Sequence, residues 1–444
     1  LDGLVQQGLE RPARRSARLG VDVRAGWRFA APAAVCLAAA IITGPAIAAS
    51  KLARKDMRVW SAAEKVRPDQ LKLLEQIVNI DTGTGDVEGG RTATAMLVPR
   101  LQALGMTVET VPAEQPGLAD NLVATVSGTG KGRILMIAHL DTVFGPGTAA
   151  KRPFRIAGDR ATGPGVADDK ASIVEGIYAL QILRDLGFKD FGKITFLIES
   201  SEEGGSLGTR KLIDRLLSDA DVELNLEPGA APDAVTVWRK GSSVIEIKVK
   251  GRAAHAGVAP QDGHSAAEEL IHQLRAAQQF PKTGDGTTLN LTLMKAGTRY
   301  NVIPDEASAA LNLRVRERSE ADRVLQALEA RAKSPAVPGT TVTVTNHGPF
   351  PPLSNNAATD ALADRADAIY RGLGMQLGRA GNGGASESSL AFDAGVPTLD
   401  GLGPVGGGFH TDDEYVELKS LTPRLYLLTK LIMELGKAPP PRIR

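Results

Sequence analysis

Five short polar segments interrupt the apolar runs of this chain and hold the residues able to do acid–base or metal chemistry. They are Ala138-His139-Leu140-Asp141-Thr142, Gly163-Pro164-Gly165-Val166-Ala167-Asp168-Asp169-Lys170, Ser201-Glu202-Glu203-Gly204, Glu227-Pro228 and Gly406-Gly407-Gly408-Phe409-His410-Thr411. Each alone is ordinary, since single histidines, acidic pairs and glycine-rich loops mostly serve surfaces and turns. Alternation past a strand end sends His139 and Asp141 to the same side, so Asp141 can accept a hydrogen bond from the imidazole and fix its tautomer. Gly128-Thr129-Gly130-Lys131 lacks the spacing and the following helix of a phosphate loop.

The elements that must position these groups alternate between helical and strand patterns from about residue 65 onward, which predicts an α/β protein. Ile134–Ala138 and Ile194–Ile198 read as buried strands. Between them Ile173, Ile177, Leu180 and Leu183 recur at helical spacing, and Gly187 is placed to end that helix. His139 and Glu203 then fall at strand ends, where open α/β sheets carry their sites. The middle of the chain changes character. Ile245, Ile247 and Val249 alternate as a strand, 265–280 reads as a helix, and Leu289, Leu291 and Leu293 alternate again. Ala309, Leu311, Leu313 and Val315 form a third strand, 319–334 a helix, and Val342 and Val344 a fourth strand. This β-α-β-β-α-β order is ferredoxin-like and predicts an inserted α+β domain at 243–348 between catalytic parts 50–242 and 349–444.

Taken in order, His139-x-Asp141, GPGVADDK, SSEEGGSLGTRKL, LEPG, GRAAHAG, NVIPDEA and GFHTDDEYV resemble the motifs of the aminoacylase and glutamate carboxypeptidase family of two-zinc metallo-exopeptidases. The likeness runs from about 65 to 438. IVNIDTGTGDVEGG, KRPFRIAGD and RLYLLTKLIMELG look closest to its bacterial glutamate carboxypeptidase (folate hydrolase) branch. The resemblance implies a zinc-exopeptidase catalytic domain with a mixed sheet and flanking helices, plus an inserted dimerisation domain. It implies that His139 and Glu227 bind one Zn2+, that Glu203 and His410 bind the other, and that Asp168 bridges them. Clustered carboxylates would otherwise raise one another's pKa, and two dications with three carboxylates and one hydroxide come close to neutral. Glu202 is implied as general base, and Asp168-Asp169 as a cis peptide. In the inserted domain the resemblance assigns Arg314 and Asn301 to the substrate's free carboxylate, with His255 reaching into a partner's site to hold an oxyanion. The implied activity is hydrolysis of an amide beside a free carboxylate, releasing a C-terminal amino acid from a small peptide. The alternatives are an N-acyl amino acid deacylase or dipeptidase, and a non-catalytic binding protein on the same fold.

Some positions depart from the family pattern. Ala171 replaces a glycine, Gly383-Gly384-Ala385-Ser386-Glu387 carries Ala and Glu in place of Gly and Asp, and Asn312 replaces an Asp. In an ungapped alignment with the glutamate-specific branch, Val235 and Gly348 stand where basic residues are expected, with Arg239, Lys240 or Arg299 as possible substitutes. These departures bear on glutamate selectivity and leave the metal set intact.

Of 444 residues, 43% are hydrophobic and 23% charged, with a net charge of +1. Six arginines against three acids make residues 1–49 basic, so the rest is slightly acidic and offers no electrostatic case for nucleic acid. The basic start, the apolar stretch Phe29 to Ala49 and Ala46-Ile47-Ala48 read as a secretory signal peptide, against a retained membrane anchor. A periplasmic or secreted enzyme follows, with no membrane segment in its mature form. Cys36, the single cysteine, would leave with that leader. Mass spectrometry of protein from its natural host should find an N-terminus near Ala49 or Ser50; a chain retaining Cys36 would point to an anchor.

Overall fold

Strands Arg133–His139 and Lys193–Glu199 lie side by side and parallel at the centre of a 6-stranded mixed sheet. The computed structural model describes residues 54–443; the leader with Cys36 lies outside the described residues. Across the sheet the order is Thr107–Val111, Asn121–Ser127, Lys193–Glu199, Arg133–His139, Val222–Asn225 and Thr398–Leu399. The first two junctions are antiparallel and the others parallel. Because side chains alternate along a strand, Ile134, Met136 and Ala138 join one core while Leu135 and Ile137 join another. Helices Met57–Val78, Ala171–Asp185 and Leu421–Lys437 pack together over the first face. Helices Arg210–Ser218 and Glu387–Asp393 cover the second. Gly187, at φ +64°, closes the turn after Ala171–Asp185 in the left-handed conformation that favours glycine. Among the described residues no helix is long and apolar enough to cross a membrane.

A second sheet, four-stranded and antiparallel throughout, has the order Thr288–Ala296, Glu306–Val315, Gly241–Lys250 and Thr341–Phe350. With helices Ala266–Ala277 and Arg318–Ala332 it follows the β-α-β-β-α-β order of the ferredoxin-like arrangement. Ile245, Ile247, Leu270, Leu311, Leu313 and Val324 form its core between sheet and helices. The opposite face carries two cross-strand rows. Arg314, Ser242 and Phe350 are direct neighbours across three strands, and Asn312, Val244 and His347 form the next row.

Leu289, Leu291 and Leu293 lie on the outer strand as their alternation predicts, but only Leu289 is buried, while Leu291, Leu293 and Met294 are exposed. The register shifts between Leu291 and Leu293.

Arg424 ties the last helix to the layers beneath the site. It is fully buried, and its guanidinium donates to the Asp233 carboxylate at 2.8 Å and to the carbonyls of Gly401 at 2.7 Å and Ala234 at 2.9 Å. Gly229 makes room for it, since a Cβ there would fall 2.6 Å from Nη2. Removing one partner of a buried ion pair strands the other. Arg424→Leu should therefore lower stability by about 3 kcal/mol in urea unfolding; an unchanged midpoint and slope would refute that role.

Candidate metal centre and cleft

The parallel strands end at one edge of the large sheet, and the loops leaving that edge bring the motif residues together. His139 is the last residue of its strand and is buried. The turn Glu202–Gly204 follows strand Lys193–Glu199. Glu227 follows Val222–Asn225, where the Asn225 side chain accepts its backbone N–H at 3.1 Å. Asp168 arrives from the loop before helix Ala171–Asp185, through a cis peptide to Asp169. His410 stands at φ +62° after the glycine run.

Asp168 lies between the two imidazoles. Its Oδ1 is 3.0 Å from His139 Nε2 and its Oδ2 is 3.3 Å from His410 Nε2. Glu227 Oε1 comes within 3.6 Å of the same His139 nitrogen, and Glu203 Oε1 within 3.2 Å of the His410 nitrogen. The five residues thus form two half-sites sharing one carboxylate. Ligand atoms of His139, Glu202 and Glu227, and of His139, Asp168 and Glu203, each lie within 4.8 Å of one another.

Asp141 works differently from the expectation. Its carboxylate is 3.6 Å from His139 Nδ1, beyond hydrogen-bond reach, and its backbone carbonyl meets that nitrogen instead at 2.9 Å. The freed carboxylate accepts the backbone N–H groups of Glu202 at 3.0 Å and Glu203 at 3.2 Å, and the Thr84 hydroxyl at 2.7 Å. Asp141 therefore anchors the Glu-Glu turn through its carboxylate and the histidine through its backbone carbonyl.

Three further supports escaped the sequence reading of roles. Glu414 accepts the N–H groups of Gly165, Ala167 and Asp168 at 3.0, 2.9 and 3.0 Å, and so shapes the loop that carries Asp168. It lies inside the GFHTDDEYV motif, which was the available signal. Arg239 makes a bidentate pair with Asp400, both contacts at 2.7 Å, and reaches Glu227 Oε2 at 3.1 Å. Asp400 is held in turn by the Ser386 and Ser388 hydroxyls. Glu387, the departure from the family's Asp, is buried and accepts from Ser206 at 2.7 Å and from Asn225 at 3.3 Å. No sequence signal marked Asp400.

The carboxylates push one another. Burial drives Glu202 well above the ordinary carboxyl range, and the charges of Glu387 and Glu227 add to it. Burial raises Glu227 to about 8 despite Arg239, with Asp168 contributing. Asp168 ends below the ordinary range, because the hydrogen bonds of His139 and His410 outweigh its burial. His410 rises to about 10 through its bonds to Asp168 and Glu203. This donor set, carboxylates and imidazoles without thiolate, crowded against their own repulsion, fits a pair of divalent cations.

A cleft of about 740 Å3 opens over these groups. One wall is formed by the loops that carry Asp168, Glu202, Glu203, Glu227 and His410; the other is the bare face of the smaller sheet, with Ser242, Val244, Arg314, His347 and Phe350. Arg314 therefore stands in the cleft, its Nε donating to Asn312 Oδ1 at 3.0 Å. Asn301 and His255 are not among the lining residues. They sit together elsewhere, where the Ala256 N–H meets the Asn301 carbonyl at 2.9 Å and His255 pairs with Val302. Both are exposed. Of the substitute cations, Arg239 is spent on Asp400 and Glu227, Lys240 bonds the Gly284 carbonyl, and Arg299 does not line the cleft. Val235 is fully buried in the core, and Gly348 lines the cleft.

Comparison with known proteins finds relatives among peptidases and deacylating hydrolases. The profile of peptidase family M20/M25/M40 matches residues 135–434. Carboxypeptidase G2 of Pseudomonas sp. (strain RS-16) is 34% identical over 91% of this chain and 97% of its own length. A succinyl-diaminopimelate desuccinylase of Methylorubrum extorquens is 28% identical over 79% of this chain and 94% of its own. A tripeptidase of Staphylococcus aureus superposes with a TM-score of 0.69 at 24% identity, covering 84% of this chain and 99% of that one.

Glu414→Ala removes three backbone acceptor contacts from the Asp168 loop. Its metal affinity, read by competition with a chelator, should fall about 10–100-fold, the usual cost of losing a group that orients ligands. Unaltered affinity would show that the loop holds its shape without it.

Proposed function

Because the chain belongs to the M20/M25/M40 peptidase family, we propose that it is a two-zinc carboxypeptidase releasing the C-terminal amino acid of a small peptide or N-acyl substrate. The observation that carries this is the Asp168 carboxylate, with one oxygen directed to each histidine-bearing half-site. His139 and Glu227 would hold one ion, Glu203 and His410 the other, and Asp168 both. When bound, the ion pair supplies Lewis acidity to the scissile carbonyl and acidifies water. Glu202, lining the same cleft with its backbone fixed by Asp141, takes a proton from the attacking water. The same carboxyl group then hands a proton to the departing amine. Arg314 receives the substrate's free carboxylate through its planar fork. An N-acyl amino acid deacylase reading draws on the likeness to the desuccinylase and uses the same groups.

Residues 243–348, between the catalytic parts 50–242 and 349–444, would form a dimerisation domain. The exposed Leu291, Leu293 and Met294 give it an apolar edge, and His255 with Asn301, exposed and away from their own cleft, would complete the site of a second copy. Residues 1–49 would direct export, placing the mature enzyme in the periplasm or outside the cell.

Purified protein should contain close to two zincs per chain. Glu202→Gln should keep the metal and still bind substrate, while kcat falls at least about 10²-fold. Full turnover by the metal-free protein would overturn the two-zinc reading, and near-normal kcat in Glu202→Gln would assign the base elsewhere.

A further inference from the structure

Resting on the carboxypeptidase reading, we infer that the cleft selects a released amino acid with a neutral, apolar side chain, and that Leu207, Val244 and Phe350 form the subsite for it. With the substrate carboxylate on Arg314 and the scissile amide at Glu202 and Asp168, the α-carbon lies between them. Its side chain then faces the remaining wall. Phe350 is two strands from Arg314 in the same cross-strand row, with Ser242 between, and Val244 stands in the next row. Strands are spaced by about 4.8 Å, so both are within about 10 Å of the carboxylate. Leu207 closes the gap from the catalytic side: a Cβ placed on Gly348, at the bulge between His347 and Phe350, would meet only Leu207 Cδ2, at 4.0 Å. A substrate's acyl group lies beyond the amide and does not reach this corner.

Exposure supports the assignment. Leu207 is 39% and Val244 38% exposed, and both line the cleft. An apolar occupant removes their surface from water, and its own. The charges exclude glutamate, whose side-chain carboxylate needs a second cation. Arg239 is buried against Asp400 and Glu227, and His410 faces Asp168 and Glu203. His347 is paired with Glu246 at 3.0 Å, which also takes Lys248 at 2.8 Å. Arg210 is not a lining residue; its guanidinium lies 4.6 Å from the Phe350 ring centre and its Nε donates to the Gly205 carbonyl. Among the described lining residues Arg314, which donates to the neutral Asn312, is the cation left to face substrate, and a second copy's His255 would be spent on the oxyanion. One such cation takes one carboxylate, and a second carboxylate beside apolar groups and Glu202 would be desolvated without a partner.

The test uses the zinc-loaded protein and N-benzoyl derivatives of Phe, Leu, Met, Glu, Asp and Lys. The expected result is a kcat/KM for Phe or Leu at least about 10-fold above that for Glu. Leu207→Ala should narrow this ratio, and Val244→Lys should move it toward glutamate by about 10-fold or more. Glutamate cleaved as well as or better than Phe and Leu overturns the inference, as do ratios unmoved in both variants. If nothing is cleaved, the carboxypeptidase reading fails instead. Calorimetric binding of N-benzoyl-Phe and N-benzoyl-Glu to zinc-loaded Glu202→Gln then decides the subsite without turnover, tighter Phe binding supporting it and tighter or equal Glu binding refuting it.

Discussion

Four carboxylates, those of Asp168, Glu202, Glu203 and Glu227, face one cleft, and most of the surrounding structure exists to keep them there. Like charges in a poorly solvated place repel, and the chain on its own would let them swing apart or take up protons. The fold opposes this by bonding each one's backbone or free oxygen to a buried neighbour. Asp141 takes the N–H groups of Glu202 and Glu203, Glu414 takes three from the Asp168 loop, and Arg239 takes the outer oxygen of Glu227. The holders are held in turn. Asp400 pins Arg239, the Ser386 and Ser388 hydroxyls pin Asp400, and Arg424 joins the neighbouring strand to the last helix. Candidate ligands for a divalent cation are thereby already gathered, and relief of their mutual repulsion would favour its binding.

The two sheets divide the labour. Parallel strands of the larger one end together, so His139, the Glu202–Gly204 turn and Glu227 leave the same edge. The smaller sheet buries one face under its helices and leaves the other bare. That bare face is the second wall, and its contents decide what sits beside the metal groups. The two walls of the cleft therefore rest on separate hydrophobic cores.

Much of this was legible in the chain because its causes are local. Strand alternation, helical spacing and the β-α-β-β-α-β order depend on neighbours in sequence, and they marked both the α/β framework and the inserted unit. The ordered motifs marked the carboxylates and imidazoles, whose residue types alone suit a divalent cation. Even Glu414 stood inside a quoted motif, although nothing local told its role.

Only the tertiary structure decided the rest, because it turns on contacts between distant residues. Arg239 and Asp400 are 161 positions apart, and no periodicity links them. The ungapped alignment set Val235 where a basic residue is expected; the fold buries it in the core, and Val244 and Phe350 line the cleft. Within one chain the fold puts Arg314 in the cleft and Asn301 beside His255, away from it. Residue types say which groups can carry charge. Whether a given arginine is free to meet substrate depends on what else has already neutralised it, and only packing in three dimensions settles that.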